Sequence, residues 1–235
     1  MIGSTNDGST NDGSLNDGSL NDVVNSVASK RVGLFGGTFD PVHNAHVALA
    51  HAALASLALD EVRWVPTGHS WQKDHRAASA EHREAMVRLA MGAEPRFTLS
   101  RMEMERAGPS YTLDTVRELH AAEPGTEWVL IIGQDQYARL HTWRDWPVML
   151  GLATLAVANR PGTDMLPSPE VQAHPHRAVP LPMLDISATD IRARIAARQD
   201  ISQLVPPEVA RYIETHGLYR NPRDLAIDGP TRPRS

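Results

Sequence analysis

Two histidines three residues apart follow a glycine pair in the string GLFGGTFDPVHNAHVALA. Gly36 and Gly37 let backbone N–H groups approach an anion closely, and Thr38 adds a hydroxyl. His43 and His46 supply ring donors where the next element begins. The string matches neither a Walker loop nor GxGxxG, because the spacing and the Walker lysine are absent. These residue types predict a phosphate site; the alternative is a tight turn, a capped helix and two surface histidines.

The string ISATDIR, far along the chain, supplies another set of anion donors. Ser187 and Thr189 carry hydroxyls at the start of a helix-like stretch, where free N–H groups favour negative charge. Arg192 adds a fixed positive charge. The alternative is helix capping by Ser187 or Thr189, with Arg192 on a solvated face.

Strand-like runs alternate with helix-like stretches from Lys30 onward. The strand-like runs cover residues 31–35, 61–66, 96–104, 127–133, 153–158 and 178–184. The helix-like stretches cover residues 46–59, 80–92, 112–122, 189–198 and 206–215. Several strand runs are almost wholly apolar, which is typical of parallel strands covered on both faces. The pattern predicts an α/β, Rossmann-like fold: an open, mostly parallel twisted sheet with helices on both faces and ligands at the carboxyl ends of the strands.

The first part of the 235-residue chain contains a five-residue polar repeat, STNDG STNDG SLNDG SLND. Such residues cannot bury enough apolar surface to offset the entropy of ordering, so we expect a disordered extension over residues 1–29. A calcium site is the alternative, but no glutamate follows at the spacing of a calcium loop. One domain is expected over residues 30–220, followed by a flexible tail over residues 221–235.

Composition excludes several kinds of protein. The chain has no cysteine, which excludes disulfides, thiolate nucleophiles and cysteine-ligated zinc. The net charge is −5, and aspartates of the repeat account for four of these charges, so a nucleic-acid surface is not expected. No apolar run reaches the roughly 18 residues that span a bilayer, and we expect no secretory signal, because no basic region is followed by an apolar core near residue 1. We expect a cytoplasmic protein without a membrane partner; the sequence leaves its oligomeric state open.

The two anion-binding strings resemble the signatures of the HxGH nucleotidyltransferases, which transfer a nucleotidyl group from ATP or CTP onto a phosphate. HNAH has alanine where the family usually has glycine, and ISATDIR is similar to the family's ISSTxIR with alanine in place of the second serine. The resemblance implies that His43 and His46 contact the triphosphate and stabilise the transition state. It also implies that the β and γ phosphates are held by Ser187, Thr189 and Arg192. A zinc site at the histidine pair is not expected, because no HExxH is present.

Four further strings narrow the resemblance: PTGHSWQK, AGPSYTLDTVREL, GQDQYARLHTWRDW and ANRPG. With HNAH they resemble the bacterial nicotinate-nucleotide adenylyltransferases over roughly residues 31–219. The implied reaction joins ATP and nicotinate mononucleotide into deamido-NAD and pyrophosphate in NAD biosynthesis, with Mg²⁺ bridging ATP oxygens. The implied ATP-binding residues are Gly36, Gly37, Thr38, Phe39, His43, His46, Gly133, Asp135, Arg160, Ser187, Thr189 and Arg192.

The same resemblance implies four residues that bind the mononucleotide. Tyr111 and Thr112 begin a helix-like stretch, where N–H groups suit the nicotinate carboxylate. Trp143 can stack on a pyridinium ring, and Lys73 suits a phosphate. The alternatives are a packing role for Trp143, a capping role for Thr112 and a solvated position for Lys73.

The mononucleotide phosphate is ionised at pH 7, so the implied reaction needs no general base, only positioning and neutralisation of charge. Three other functions stay open. They are a dual-specificity nicotinate/nicotinamide mononucleotide enzyme, a pantetheine-phosphate adenylyltransferase and an inactive nucleotide-binding protein. The strings SYTLDT and TWRDW disfavour the second, and the retained histidines, Thr189 and Arg192 disfavour the third.

Overall fold

The computed structural model describes residues 29–68, 77–159, 166–182 and 184–220. The predicted extension, apart from its last residue, and the predicted tail lie outside these ranges. So do Lys73 and Arg160, so their predicted roles stay predictions.

Strands and helices alternate through the described residues. The strands are β1 Arg31–Gly37, β2 Glu61–Pro66, β3 Phe97–Leu99, β4 Glu127–Gly133, β5 Thr154–Asn159 and β6 His176–Pro180. The α-helices are α1 Asn44–Ser56, α2 Ala80–Met91, α3 Met102–Glu105, α4 Thr112–Ala122, α5 Gln134–Ala138, α6 Trp146–Leu152, α7 Pro169–Gln172, α8 Ala188–Ala196 and α9 Pro207–Thr215. A 3₁₀ turn covers Leu140–Thr142.

Several predicted elements have different bounds, and three of them are described here. The strand predicted over residues 96–104 is wrong in its second half: β3 pairs with β2 only as far as Leu99, and the chain then turns into the single helical turn α3. β6 begins before the predicted strand 178–184 and ends earlier, because its partner β5 ends opposite Pro180. α1 begins at Asn44, two residues before the prediction.

The six strands form one sheet in the order β3-β2-β1-β4-β5-β6, and all five pairings are parallel. Strand order reverses between β1 and β4, so the connections after these two strands diverge to opposite faces of the sheet. Such a reversal opens a crevice at the carboxyl ends of the strands, where ligands of open α/β folds bind. Gly37 of β1 and Pro66 of β2 end in register at that edge.

Alternation along the strands sends side chains to two separate cores. In β4, Val129 and Ile131 join the core under α1, α2, α8 and α9, whereas Trp128, Leu130 and Ile132 join the core under α4, α5 and α6. Helices therefore cover both faces of the sheet, and the predicted fold class is confirmed. Within the described ranges, no helix is both long and apolar enough to cross a bilayer.

Candidate active site

A cavity of about 610 Å³ lies at the carboxyl ends of β1, β2 and β4. It occupies the crevice that the reversal of strand order creates. Its lining includes most of the residues singled out from the sequence: Gly36, Gly37, Thr38, Phe39, His43, His46, Thr112, Gly133, Asp135, Trp143, Ser187, Thr189 and Arg192. The structure thus brings together two strings that are about 140 residues apart.

His43 and His46 form a stacked pair at the start of α1. Their ring centroids are 3.6 Å apart with an interplanar angle of 21°. The backbone N–H of His43 donates to Nδ1 of His46 at 3.2 Å. Since Nδ1 of His46 accepts, the proton of its neutral ring is on Nε2. This bond fixes the tautomer of His46.

Both imidazoles are held in the neutral form. Burial lowers the pKa of His43 from 6.5 to about 4. Burial lowers the pKa of His46 well below its usual range, and repulsion from the neighbouring His43 lowers it further. Nδ1 of His43 is buried without a hydrogen-bond partner among the described residues. A buried polar atom of this kind carries a desolvation cost until a partner pairs with it.

The Phe39 ring is directed into the core rather than exposed in the cavity. It is 2 % exposed and lies edge-on to the rings of Phe35 and His46 at 5.5 and 5.1 Å. Its backbone has a positive φ of 51°, an uncommon conformation for a residue with a side chain. The ring packs against His46, so a contact of Phe39 with ATP is left to its backbone.

The loop after β1 is held in place by hydrogen bonds to Asp40. This buried residue was not singled out from the sequence. Its Oδ1 accepts hydrogen bonds from the Tyr219 hydroxyl at 2.7 Å and from the backbone N–H of Ala78 at 3.0 Å. Arg192 donates to its backbone carbonyl at 2.7 Å. Segments from three distant parts of the chain therefore hold the loop that carries the histidines.

The N-terminus of α8 faces the cavity. Ser187 is the N-cap residue, and its Oγ accepts from the backbone N–H of Asp190 at 3.1 Å. Its hydroxyl proton is still available to a ligand. Arg192 is half-buried and bonded to the β1 loop, so its predicted alternative on a solvated face is wrong.

The N-terminus of α4 borders the opposite side of the cavity. Tyr111 is the N-cap residue, without a side-chain capping bond, and Thr112 is the first helical residue. The alternative in which Thr112 serves only as the N-cap is therefore wrong. Tyr111 is 39 % exposed, and the Arg144 guanidinium lies 4.8 Å from its ring centroid. Thr112 lines the cavity, whereas Tyr111 is not among the residues that line it.

Trp143 and Gly133 complete the acceptor side. Trp143 is half-buried, lines the cavity and also packs against the core under α4. Its packing role is therefore seen in the structure, whereas its stacking on a pyridinium ring stays a prediction. A methyl group added at Gly133 would meet no atom within 4 Å, so this residue leaves free space beside the end of β4. Asp135 lies in the first turn of α5, next to that space.

Besides Asp40, sequence reasoning missed two buried charged residues: Arg83, outside the cavity lining, and Glu103, within it. Arg83 occupies the buried stripe of α2 with Met86, Val87 and Ala90, so a charge at a core position of the helical pattern was the available signal. Glu103 is 6 % exposed, and its pKa is raised by burial. Its Oε1 accepts from the Thr115 hydroxyl at 2.7 Å; the helix that carries it was predicted as strand.

A sequence model of the cytidylyltransferase-like family matches residues 34–194. A probable nicotinate-nucleotide adenylyltransferase of Methylibium petroleiphilum is 47% identical over 206 residues, which cover 85% of this chain and 97% of that protein. A probable nicotinate-nucleotide adenylyltransferase of Clavibacter michiganensis is 41% identical over 196 residues, which cover 82% of this chain and 96% of that protein.

The chain belongs to the nicotinate-nucleotide adenylyltransferase family.

Solved structures of the family share its fold. The nicotinic acid mononucleotide adenylyltransferase of Plasmodium falciparum, complexed with NaAD, superimposes with a TM-score of 0.68 at 18% identity, over 81% of this chain and 97% of that one. A structure from Vibrio parahaemolyticus described as a putative nicotinate-nucleotide adenylyltransferase gives a TM-score of 0.61 at 17% identity, over 82% and 96%. At such identities the likeness establishes the fold, and the residue roles rest on the geometry above.

Proposed function

We propose that the protein transfers the adenylyl group of ATP to nicotinate mononucleotide, giving deamido-NAD and pyrophosphate. The observation that carries this proposal is the stacked, neutral His43–His46 pair in a cavity bordered by the N-termini of α4 and α8. Two helix N-termini offer two places for negative charge, as a reaction between two anionic nucleotides requires. Family membership over most of the chain supports the same reaction.

The chemistry needs positioned donors rather than a base. A phosphate oxygen of the mononucleotide attacks the α-phosphorus of ATP, and the bond from that phosphorus to the bridging oxygen breaks. Negative charge then accumulates on the departing pyrophosphate. We assign its stabilisation to Nε2–H of His46, to His43 and to the α8 donors Ser187, Thr189 and Arg192.

ATP binding is assigned to the residues at the ends of β1 and β4, which border the cavity. Gly36, Gly37 and Thr38 are proposed to approach ATP through the backbone, and Gly133 and Asp135 to accommodate its ribose. Mg²⁺ enters as part of the substrate Mg-ATP, held by phosphate oxygens and water. Among the described residues no three His, Asp or Glu side chains cluster for a metal ion.

The acceptor ring is assigned to the α4 side. The first-turn N–H groups at Thr112 are proposed to bind the nicotinate carboxylate, with Trp143 stacked on the pyridinium. The predicted partners are therefore small molecules, and a cytoplasmic location with a catalytic domain over residues 30–220 is part of the proposal.

Pyrophosphate release from purified protein with Mg-ATP tests the proposal. We expect release only when nicotinate mononucleotide is added, with deamido-NAD formed in equal amount. The matched control is His46→Ala. Turnover with 4′-phosphopantetheine instead would support a pantetheine-phosphate adenylyltransferase, and ATP binding without turnover of either acceptor would indicate an inactive binding protein.

A further inference from the structure

Arg83 is a buried cation that the proposed chemistry does not use. Arg83 is 2 % exposed and lies on the side of α2 that faces the core. Nη1 donates to the backbone carbonyl of Thr38 at 2.8 Å, and Nη2 donates to the backbone carbonyl of Gly68 at 2.7 Å. Methionine or leucine would fill such a core position without the desolvation cost of a guanidinium, so the two hydrogen bonds need an explanation.

The two carbonyls belong to the loops that follow neighbouring strands. Thr38 is in the loop after β1, five residues before His43, and lines the cavity. Gly68 is two residues beyond the end of β2. β1 and β2 end side by side, so one planar guanidinium reaches the residues that follow both strands. Arg83 is thus a cross-link between the loop assigned to ATP and the described residues that follow β2.

Gly68 is held from a second direction. A Cβ at this position would lie 2.3 Å from the backbone carbonyl oxygen of Glu103 on α3. Gly68 therefore lies between the Arg83 guanidinium and α3, with no room to shift toward α3.

We propose that Arg83 is a positioning residue that holds the ATP loop, and with it the His43–His46 pair, against the end of β2. This inference rests on the proposed function and deepens it. The ATP loop can bind nucleotide without Arg83, but the alignment of its donors with the departing pyrophosphate depends on where Thr38 is held. A misplacement of about 1 Å can cost about 10²-fold in rate.

The test compares Arg83→Lys and Arg83→Gln with the core variant Val87→Ala on the same helix. Lysine keeps the charge and loses the two-pronged donor, whereas glutamine loses the charge. Val87 is fully buried, so its truncation lowers stability through packing alone. Measurements are kcat, the separate dissociation constants of a non-hydrolysable ATP analogue and of nicotinate mononucleotide, the melting temperature, and amide exchange of residues 38–43 and 67–68.

We expect both Arg83 variants to lose about 10- to 10²-fold in kcat, while each dissociation constant changes less than threefold. Amide exchange of the two loops should quicken in both. Val87→Ala should lower the melting temperature with kcat within twofold of wild type. A Lys variant with wild-type kcat would show that charge alone suffices and would overturn the proposal.

Two further outcomes also overturn it: kcat losses no larger than in Val87→Ala, or failure of both Arg83 variants to fold, which would assign the residue to the fold as a whole. A wild-type protein that does not turn over nicotinate mononucleotide refutes the proposed function instead. In that case, the positioning role is judged by loop exchange: unchanged protection in both Arg83 variants refutes it.

Discussion

The Tyr219 hydroxyl donates to Oδ1 of Asp40 at 2.7 Å, across 179 positions of sequence. Both residues are buried, and Tyr219 adopts a positive φ of 64° to reach this position. Burial and the charge of Asp40 raise the pKa of Tyr219, so the phenol stays a donor at every physiological pH. The last described turn of the chain is thereby attached to the loop that presents the histidine pair.

Tyr219→Phe is therefore expected to affect both stability and turnover. The substitution leaves a buried carboxylate with one donor fewer, which costs about 1.5–3 kcal/mol of unfolding free energy. It also loosens the loop before His43, so kcat should fall. The control is Tyr212→Phe, which removes a hydroxyl that bonds to Nδ1 of His82 at 3.0 Å. Urea unfolding and steady-state kinetics check both; equal kcat for the two variants would contradict the prediction.

His46→Ala should lower kcat by about 10²–10³, the usual cost of removing one preorganised donor to developing charge. ATP binding should fall much less, because the α8 donors are intact. His51→Ala is the matched control, since His51 is an exposed histidine on the same helix. Stopped assays of pyrophosphate release and titration with an ATP analogue separate the two effects. Normal turnover by the His46 variant would refute the central assignment.

Acid should destabilise the free protein through His43. Its pKa is about 4 when folded and 6.5 in the reference state, so the unfolded chain binds more protons between these values. Stability is therefore complete above pH 6.5 and falls as the pH drops toward 4, with about 2 kcal/mol lost to this group at pH 5. We expect His43→Gln to lose less stability than wild type between pH 7 and pH 5 in urea unfolding. Parallel pH dependence of the two proteins would show that His43 is not the titrating group.

Nicotinate mononucleotide should be preferred over nicotinamide mononucleotide by about 10²–10⁴ in kcat/KM. The first turn of α4 offers N–H donors at Thr112, and a carboxylate accepts from them at both oxygens. A carboxamide turns its NH₂ toward one donor, and an unpaired buried donor costs about 1–3 kcal/mol. The measurement is kcat/KM for both mononucleotides in one preparation at fixed Mg-ATP. A ratio within threefold of unity would indicate a dual-specificity enzyme.

The sequence predicted the parts of the molecule that have strong local signals. The core strands β1, β2 and β4 and the helices α2 and α4 follow from continuous apolar runs and 3.6-residue periodicity. The short helices α3, α5, α6 and α7 were missed, because fewer than about eight residues give too weak a periodic signal. The alternation around Met102 mimicked a strand, yet the chain leaves the sheet there once its pairing with β2 ends.

The residues of the candidate site also fall into two groups: those that could be predicted from the sequence and those that could not. Residues that offer donors to a ligand, such as His46 and Thr189, could be found from motif and spacing. Residues that support the loops, such as Asp40, Arg83 and Tyr219, could not, because their partners are 38 to 179 positions away or are backbone carbonyls. A carbonyl leaves no trace in the sequence, so only the tertiary structure reveals what Arg83 binds.

The central position of β1 in the sheet also determines when the protein can become catalytically active during its synthesis on the ribosome. β1 pairs with β2 about 30 residues later but with β4 only 96 residues later, where Arg31 meets Glu127. Until β4 has left the ribosome, one hydrogen-bonding edge of β1 stays unpaired, and only the β1–β2 side of the crevice can form. Pairing at such sequence separation is slow to form. A nascent chain that ends before β4 therefore exposes an apolar edge strand next to its glycine pair. Release of such a fragment from the ribosome favours aggregation and does not yield a partly active enzyme.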